Sequence, residues 1–98
     1  MTINFQFEGD KLCVALEGRL DSLTSQDLLK TLEEPMKKAK SIEFDFVGLE
    51  YISSAGLRAL LTFQKQLGGK DKIVIKNSNP VVLNIFNVTG LAAVLTLV

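Results

Sequence analysis

Histidine and tryptophan are missing from this 98-residue chain, which also holds a single cysteine and two prolines. Without histidine, Ser-His and Cys-His nucleophile pairs cannot form, and most zinc sites lose their usual ligands. One cysteine cannot close an internal disulfide, and Cys13, set between Leu12 and Val14, reads as a small buried hydrophobe. Net charge is missing as well: eleven basic side chains balance eleven acidic ones, so the electrostatic footprint of a nucleic-acid binder is not there. The small cluster Lys37, Lys38 and Lys40 reads as a solvated helix end that complements the helix dipole. No apolar run approaches the roughly 18 residues of a membrane span, and Met1 to Asp10 lacks the basic start and apolar stretch of a signal peptide. The cytoplasm is the expected location, with no membrane insertion. Neither G-x-x-x-x-G-K-[ST] nor G-x-G-x-x-G occurs to cradle phosphates. Only carboxylate chemistry through Asp21, Asp45 or Glu17 survives, and no paired carboxylates stand out, so neither an enzyme nor a cofactor or metal site is expected.

Nearly half of the residues are hydrophobic and about a fifth are charged, which suits one domain over residues 1–98 with a modest core. Ile3, Phe5 and Phe7 alternate with polar residues, Glu8-Gly9-Asp10-Lys11 is turn chemistry, and Leu12, Val14 and Leu16 resume the alternation. These eighteen or so residues predict a β-hairpin. A first helix is predicted from about Thr24 to Lys38, with Asp21, Ser22 and Thr24 as candidate N-caps and a kink or break near Glu34 imposed by Pro35. Ile42, Phe44 and Phe46 predict a third strand. The following helix should turn Leu57, Leu60, Leu61 and Leu67 inward and end at Gly68-Gly69. Ile73-Val74-Ile75 reads as a strand buried on both faces. Ser78-Asn79-Pro80 starts a third helix that runs to about Asn87. Leu91 to Val98 is compatible with a helical turn, a strand, or one followed by the other. The order β-β-α-β-α-β-α-(β) calls for an α/β domain with a mixed central sheet and helices mainly on one face.

The most informative stretch is Ser53-Ser54-Ala55-Gly56-Leu57-Arg58, two hydroxyls where an apolar strand gives way to an amphipathic helix. A helix N-terminus offers unpaired N–H groups and the positive end of the macrodipole, so a phosphoryl group placed there is well received. Serine is also among the best N-cap residues, and the pattern alone favours reading Ser53 or Ser54 as a cap and nothing more.

Three segments in order, Gly18-x-Leu20-Asp21, Tyr51-Ile52-Ser53-Ser54-Ala55-Gly56-Leu57 and Leu83-x-x-Phe86-x-x-x-Gly90-Leu91, resemble the STAS domain of bacterial anti-sigma factor antagonists. The resemblance spans nearly the whole chain. It implies a protein-binding module that sequesters a cognate anti-sigma factor, itself a serine kinase, and is switched off by phosphorylation, with a serine phosphatase as a further implied partner. Aligning Gly56-Leu57 with the family's Gly-Leu places the acceptor at Ser54, with Ser53 the second choice. Ser53 then stands where many members carry aspartate. Asp21, Ser22, Ser53, Ser54, Ala55, Gly56 and Arg58 are the implied contact residues, and Arg58, one turn after Ser54, could reach a phosphate or a partner carboxylate. Asp21 reads as a cap or a contact. A second implied reading is a small, non-phosphorylated STAS subunit of an ABC-type lipid transporter, docked on its ATPase.

Overall fold

The structure is a computed structural model that describes the backbone of residues 1–98 and every side chain except that of Lys70. Five strands form one sheet in the order β1-β2-β3-β4-β5. The opening alternation forms β1 (Thr2–Glu8) and β2 (Lys11–Leu20), paired antiparallel through a tight turn in which Gly9 takes φ 64°. Strands β3 (Ser41–Ile52), β4 (Ile73–Lys76) and β5 (Thr96–Leu97) add on in parallel, so the sheet is mixed as the element order requires. The last segment resolves into a 3-10 turn at Leu91–Ala93 followed by β5.

Burial alternates along β2, β3 and β4. Leu12, Val14, Leu16, Ile42, Phe44, Phe46, Ile73 and Ile75 are buried on the helix-covered face, whereas Cys13, Glu43, Val74 and Lys76 are half-buried on the other. β4 is therefore buried on one face, not on both: β-branched residues fill it because of their strand preference, while the open face is shared with salt-bridged Lys76 and Glu43, 3.5 Å apart. Cys13 also departs from the fully buried expectation. It lies on this open face and donates its thiol to the Glu8 carboxylate at 3.0 Å. Burial, then that hydrogen bond to an anion, push its thiol pKa up, which makes it a poor nucleophile.

Pro35 splits the expected first helix into α1 (Ser22–Thr31) and α2 (Glu33–Lys38), with the break at Leu32. The break falls earlier than Glu34 because a proline ring collides with the carbonyl four residues back, here that of Thr31. Pro35 is left in the first turn of α2, where a missing N–H costs little. Helix α3 (Ser54–Leu67) ends at Gly68, whose φ of 83° supplies the left-handed cap, and α4 (Pro80–Val88) starts behind Asn79 as the Asn-Pro pair predicts. Ala59 and Phe63 of α3 join Leu57 and Leu60 in the core, while Leu61 is only half-buried. Phe63 packs on Phe44 at 5.8 Å between ring centroids, Phe44 on Phe46 at 5.8 Å, and Phe46 on Phe86 at 6.5 Å. This row of rings ties α3 and α4 to β3, and truncating one to alanine costs about 3–5 kcal/mol.

Candidate functional site

Parallel pairing of β2 with β3 brings their carboxyl ends together. Leu20 lies opposite Ile52, and the Ser53 amide donates to the Leu20 carbonyl at 2.8 Å. The chain enters α1 at one of these ends and α3 at the other. Asn79 joins the same region by donating its side-chain amide to the Leu49 carbonyl at 3.0 Å while its carbonyl oxygen caps α4 through the Val82 amide at 2.8 Å. Three helix N-termini, each with unpaired amides and a positive dipole end, thus meet at the carboxyl edge of the sheet.

Asp21 is the N-cap of α1. Its carboxylate accepts from the amides of Leu23 (3.1 Å) and Thr24 (3.0 Å), and the Thr24 hydroxyl accepts from the Asp21 amide at 2.8 Å, closing a capping box. The same hydroxyl donates to the Arg19 carbonyl at 2.7 Å. These hydrogen bonds, that of the Thr24 amide foremost, hold the Asp21 carboxyl below its usual pKa. The helix therefore begins at Ser22, two residues before the expected start, because the aspartate takes the cap ahead of Thr24.

Ser53 caps α3 more loosely, accepting only from the Gly56 amide, at 3.4 Å. Ser54 occupies the first helical position, is exposed, and its hydroxyl has no partner among the described residues. The two serines thus divide the roles that the pattern left open: Ser53 is the cap and Ser54 presents a free hydroxyl. Ala55 is half-buried, and Ser22 and Arg58 are exposed; Arg58 makes no ion pair among the described residues. Gly56 differs from the other expected contact residues in being buried. A Cβ there would lie 2.7 Å from Ile52 Cγ1 and 2.9 Å from Leu20 Cγ, so glycine is what lets the first turn of α3 rest on both strand ends.

One feature escaped the sequence reading. The Arg19 guanidinium lies 4.8 Å from the centroid of the Tyr51 ring, across paired positions of β2 and β3. Their pairing depends on two register shifts, through which the offset between β2 and β3 partners grows from 30 at Lys11/Ser41 to 32 at Leu20/Ile52. Gly48 sits at the first shift, where a Cβ would stand 2.7 Å from Glu17 Cγ. The carboxylates left as catalytic candidates are otherwise engaged or open to solvent. Asp45 accepts from the Asn77 side chain at 2.9 Å and the Val47 amide at 3.0 Å, which lowers its pKa, and Glu17 is exposed. No helix among the described residues is long and apolar enough to cross a membrane.

This fold, with serines at a strand-to-helix junction, is that of a small α/β domain built on a five-stranded mixed sheet. The chain belongs to the STAS domain family: a family model described as "Mlab, STAS domain" matches residues 3–98. Solved structures share the fold. An anti-sigma factor antagonist from Mycobacterium paratuberculosis matches with a TM-score of 0.86 at 20% identity, over 98% of this chain and 83% of that one. The antagonist SpoIIAA in its unphosphorylated form matches at 0.83 and 17% identity, over 99% and 88% of the two chains. The Bacillus SpoIIAA in its phosphorylated form matches at 0.74 and 16% identity, over 99% and 91%.

Proposed function

We propose that this protein is an anti-sigma factor antagonist, working in the cytoplasm, that sequesters an anti-sigma factor serine kinase and is switched off by phosphorylation at Ser54. The observation that carries the reading is the exposed, unpartnered Ser54 hydroxyl at the head of α3, beside a Ser53 that already serves as the cap. A kinase can therefore modify Ser54 without removing the helix cap. Asp21 and Ser22 at the start of α1, with Ser53, Ala55 and Arg58 at the start of α3, would form the rest of the docking surface, Gly56 seating the helix start on the strand ends. Structural likeness to SpoIIAA, which exists in unphosphorylated and phosphorylated forms, supports the same direction. A phosphate adds about 1.5 to 2 negative charges at neutral pH, and its desolvation against a surface built for a neutral hydroxyl opposes binding. Within the free domain the helix dipole receives it, so the fold need not change. A serine phosphatase would then reset the switch.

The test uses the purified chain with its cognate anti-sigma factor serine kinase and ATP. Mass spectrometry is expected to find one phosphate, on Ser54, retained in Ser53→Ala and lost in Ser54→Ala; Ser54→Asp is expected to abolish the complex. Undiminished binding by the Asp variant, or phosphate on Ser53, overturns the assignment.

A second reading is favoured by Ser53, which stands where the acceptor motif usually has aspartate, and by the family description, which names Mlab and not an antagonist. It makes the protein a non-phosphorylated STAS subunit docked on a lipid-transporter ATPase through the same surface. Affinity capture from the native lysate separates the two: recovery of a sigma-regulating kinase supports the first, recovery of a transporter ATPase the second.

A further inference from the structure

The two edges of the sheet are unlike. β5 is two residues long, a length that offers little for another strand to pair with. β1 is seven residues long and lies on the outside of the sheet, and all its residues except Ile3 are exposed. It carries few of the devices that blunt a free edge: Thr2–Glu8 contains no lysine, no proline and no bulge, and its one charge, Glu8, lies at the strand's end. Phe5 and Phe7 lie opposite Val14 and Leu12, so they point to the face on which the core is built. They are nevertheless 43% and 39% exposed, because the helical layer stops short of β1.

We propose that β1 is a homodimer interface, in which the β1 strands of two copies pair antiparallel across a two-fold axis at Phe5. Self-complementarity of the strand selects a second copy as the occupant. Centring the pair on Phe5, the middle residue of Thr2–Glu8, uses the whole strand and sets Phe5 against Phe5, Ile3 against Phe7, Asn4 against Gln6 and Thr2 against Glu8. Apolar residues meet apolar residues on the core side, and amides meet amides on the open side. The sole charge of the strand, Glu8, meets an uncharged threonine and keeps its own Lys11 at 3.9 Å, so no like charges oppose one another. The core-side row Val14-Phe5-Phe5-Val14 then runs unbroken across a ten-stranded sheet, and the exposed phenylalanines acquire the cover that the helices do not provide.

The symmetry has two consequences. Isologous pairing consumes β1 on both copies, and the short β5 edges cannot extend the sheet further, so assembly stops at two. The two-fold axis also reverses strand direction, which sends the Ser54 ends of the two copies to opposite ends of the joint sheet and leaves both accessible. The interface is thus independent of the docking surface proposed above.

Sedimentation equilibrium of the full chain from about 1 µM to about 1 mM tests the proposal. The expected mass rises from the 10.8 kDa of the monomer toward twice that value and no further. Phe5→Lys, which sets two ammonium groups against each other on the axis, is expected to hold the monomer mass throughout. Val88→Lys, at a 74% exposed position on α4, is expected to dimerise like the wild type. Hydrogen exchange on the wild-type chain gives a readout that no variant can confound: amides of Thr2–Glu8 should gain protection with concentration, and those of α4 should not. A monomer mass over the whole range, growth beyond two copies, or loss of dimer in Val88→Lys but not in Phe5→Lys overturns it.

Discussion

Two helices start side by side at the carboxyl ends of β2 and β3, and they are capped to different degrees. At α1, Asp21 accepts two amide hydrogen bonds, and Thr24 returns one and ties itself to Arg19. At α3, Ser53 makes one hydrogen bond of 3.4 Å, and the next residue offers an unengaged hydroxyl. Propensity does not explain the contrast, since serine and aspartate are both good caps. The difference is in saturation: a negative charge and a capping box quench the dipole and orphan amides of α1, while the first turn of α3 receives a single long side-chain hydrogen bond from its cap. The start of α3 is thus the less saturated of the two, the end at which an anion is the better received.

The largest effect on this pair of helix starts should come from the glycine that seats one of them. Gly56→Ala places a methyl 2.7 Å from Ile52 and 2.9 Å from Leu20. Overpacking of this kind costs about 1–3 kcal/mol, against which the helix-propensity gain from glycine to alanine returns about 1 kcal/mol. Urea denaturation should therefore show a net loss of stability and weaker docking at Ser54. A gain in stability would mean that the strand ends yield, and that α3 is seated less firmly than the close approach requires.

Next come the caps. Asp21→Ala should destabilise more than Ser53→Ala, because it removes an acceptor shared by two amides and the partner of the Thr24 hydroxyl. For Ser53→Ala the loss should sit near 0.5 kcal/mol, the low end for a cap, given its single long hydrogen bond. Acid separates the two further. The Asp21 carboxyl has a folded pKa below its unfolded value of about 3.9, so its contribution is complete above that pH and is lost as pH falls through the folded value. The stability difference between wild type and Asp21→Asn should therefore shrink below about pH 4, whereas that between wild type and Ser53→Ala should stay constant. Equal losses for the two alanine variants, or an acid-independent Asp21→Asn difference, would erase the contrast.

Local signals in the sequence located most of this architecture. Alternation at Ile3 to Leu16, the glycine after Leu67 and the Asn79-Pro80 pair each specify their element within a few residues, and the structure has them in place. Asp21 as a cap was legible for the same reason. Features set by distance along the chain were not. The strand Ile73–Ile75 looks doubly buried until the uncovered face of the sheet is known. The Arg19 and Tyr51 pair depends on a register that two irregularities near Gly48 create, and nothing in either segment announces it. The Ser53-Ser54 dipeptide lies between these cases: its position at a helix start was readable, but which serine caps and which is free is decided by the exact residue at which α3 begins.

The smallest expected effect is also the one that bears most directly on the idea of an unsaturated helix start. Ser54→Asp puts a carboxylate at the first position of α3, where the dipole favours negative charge by about 0.3–1 kcal/mol. Ser54 has no side-chain hydrogen bond among the described residues to lose, so the substitution should leave the fold as stable as the wild type or slightly more stable, with the gain shrinking as salt is raised. The same charge introduced at the saturated start, as Ser22→Asp, should stabilise less, because Asp21 already supplies an anion there. A thermal melt of the two variants at low and high ionic strength makes the comparison. If Ser54→Asp lost stability while Ser22→Asp gained it, the anion-accepting end of the pair would be α1 and not α3, and Ser54 would have to act through its neutral hydroxyl alone.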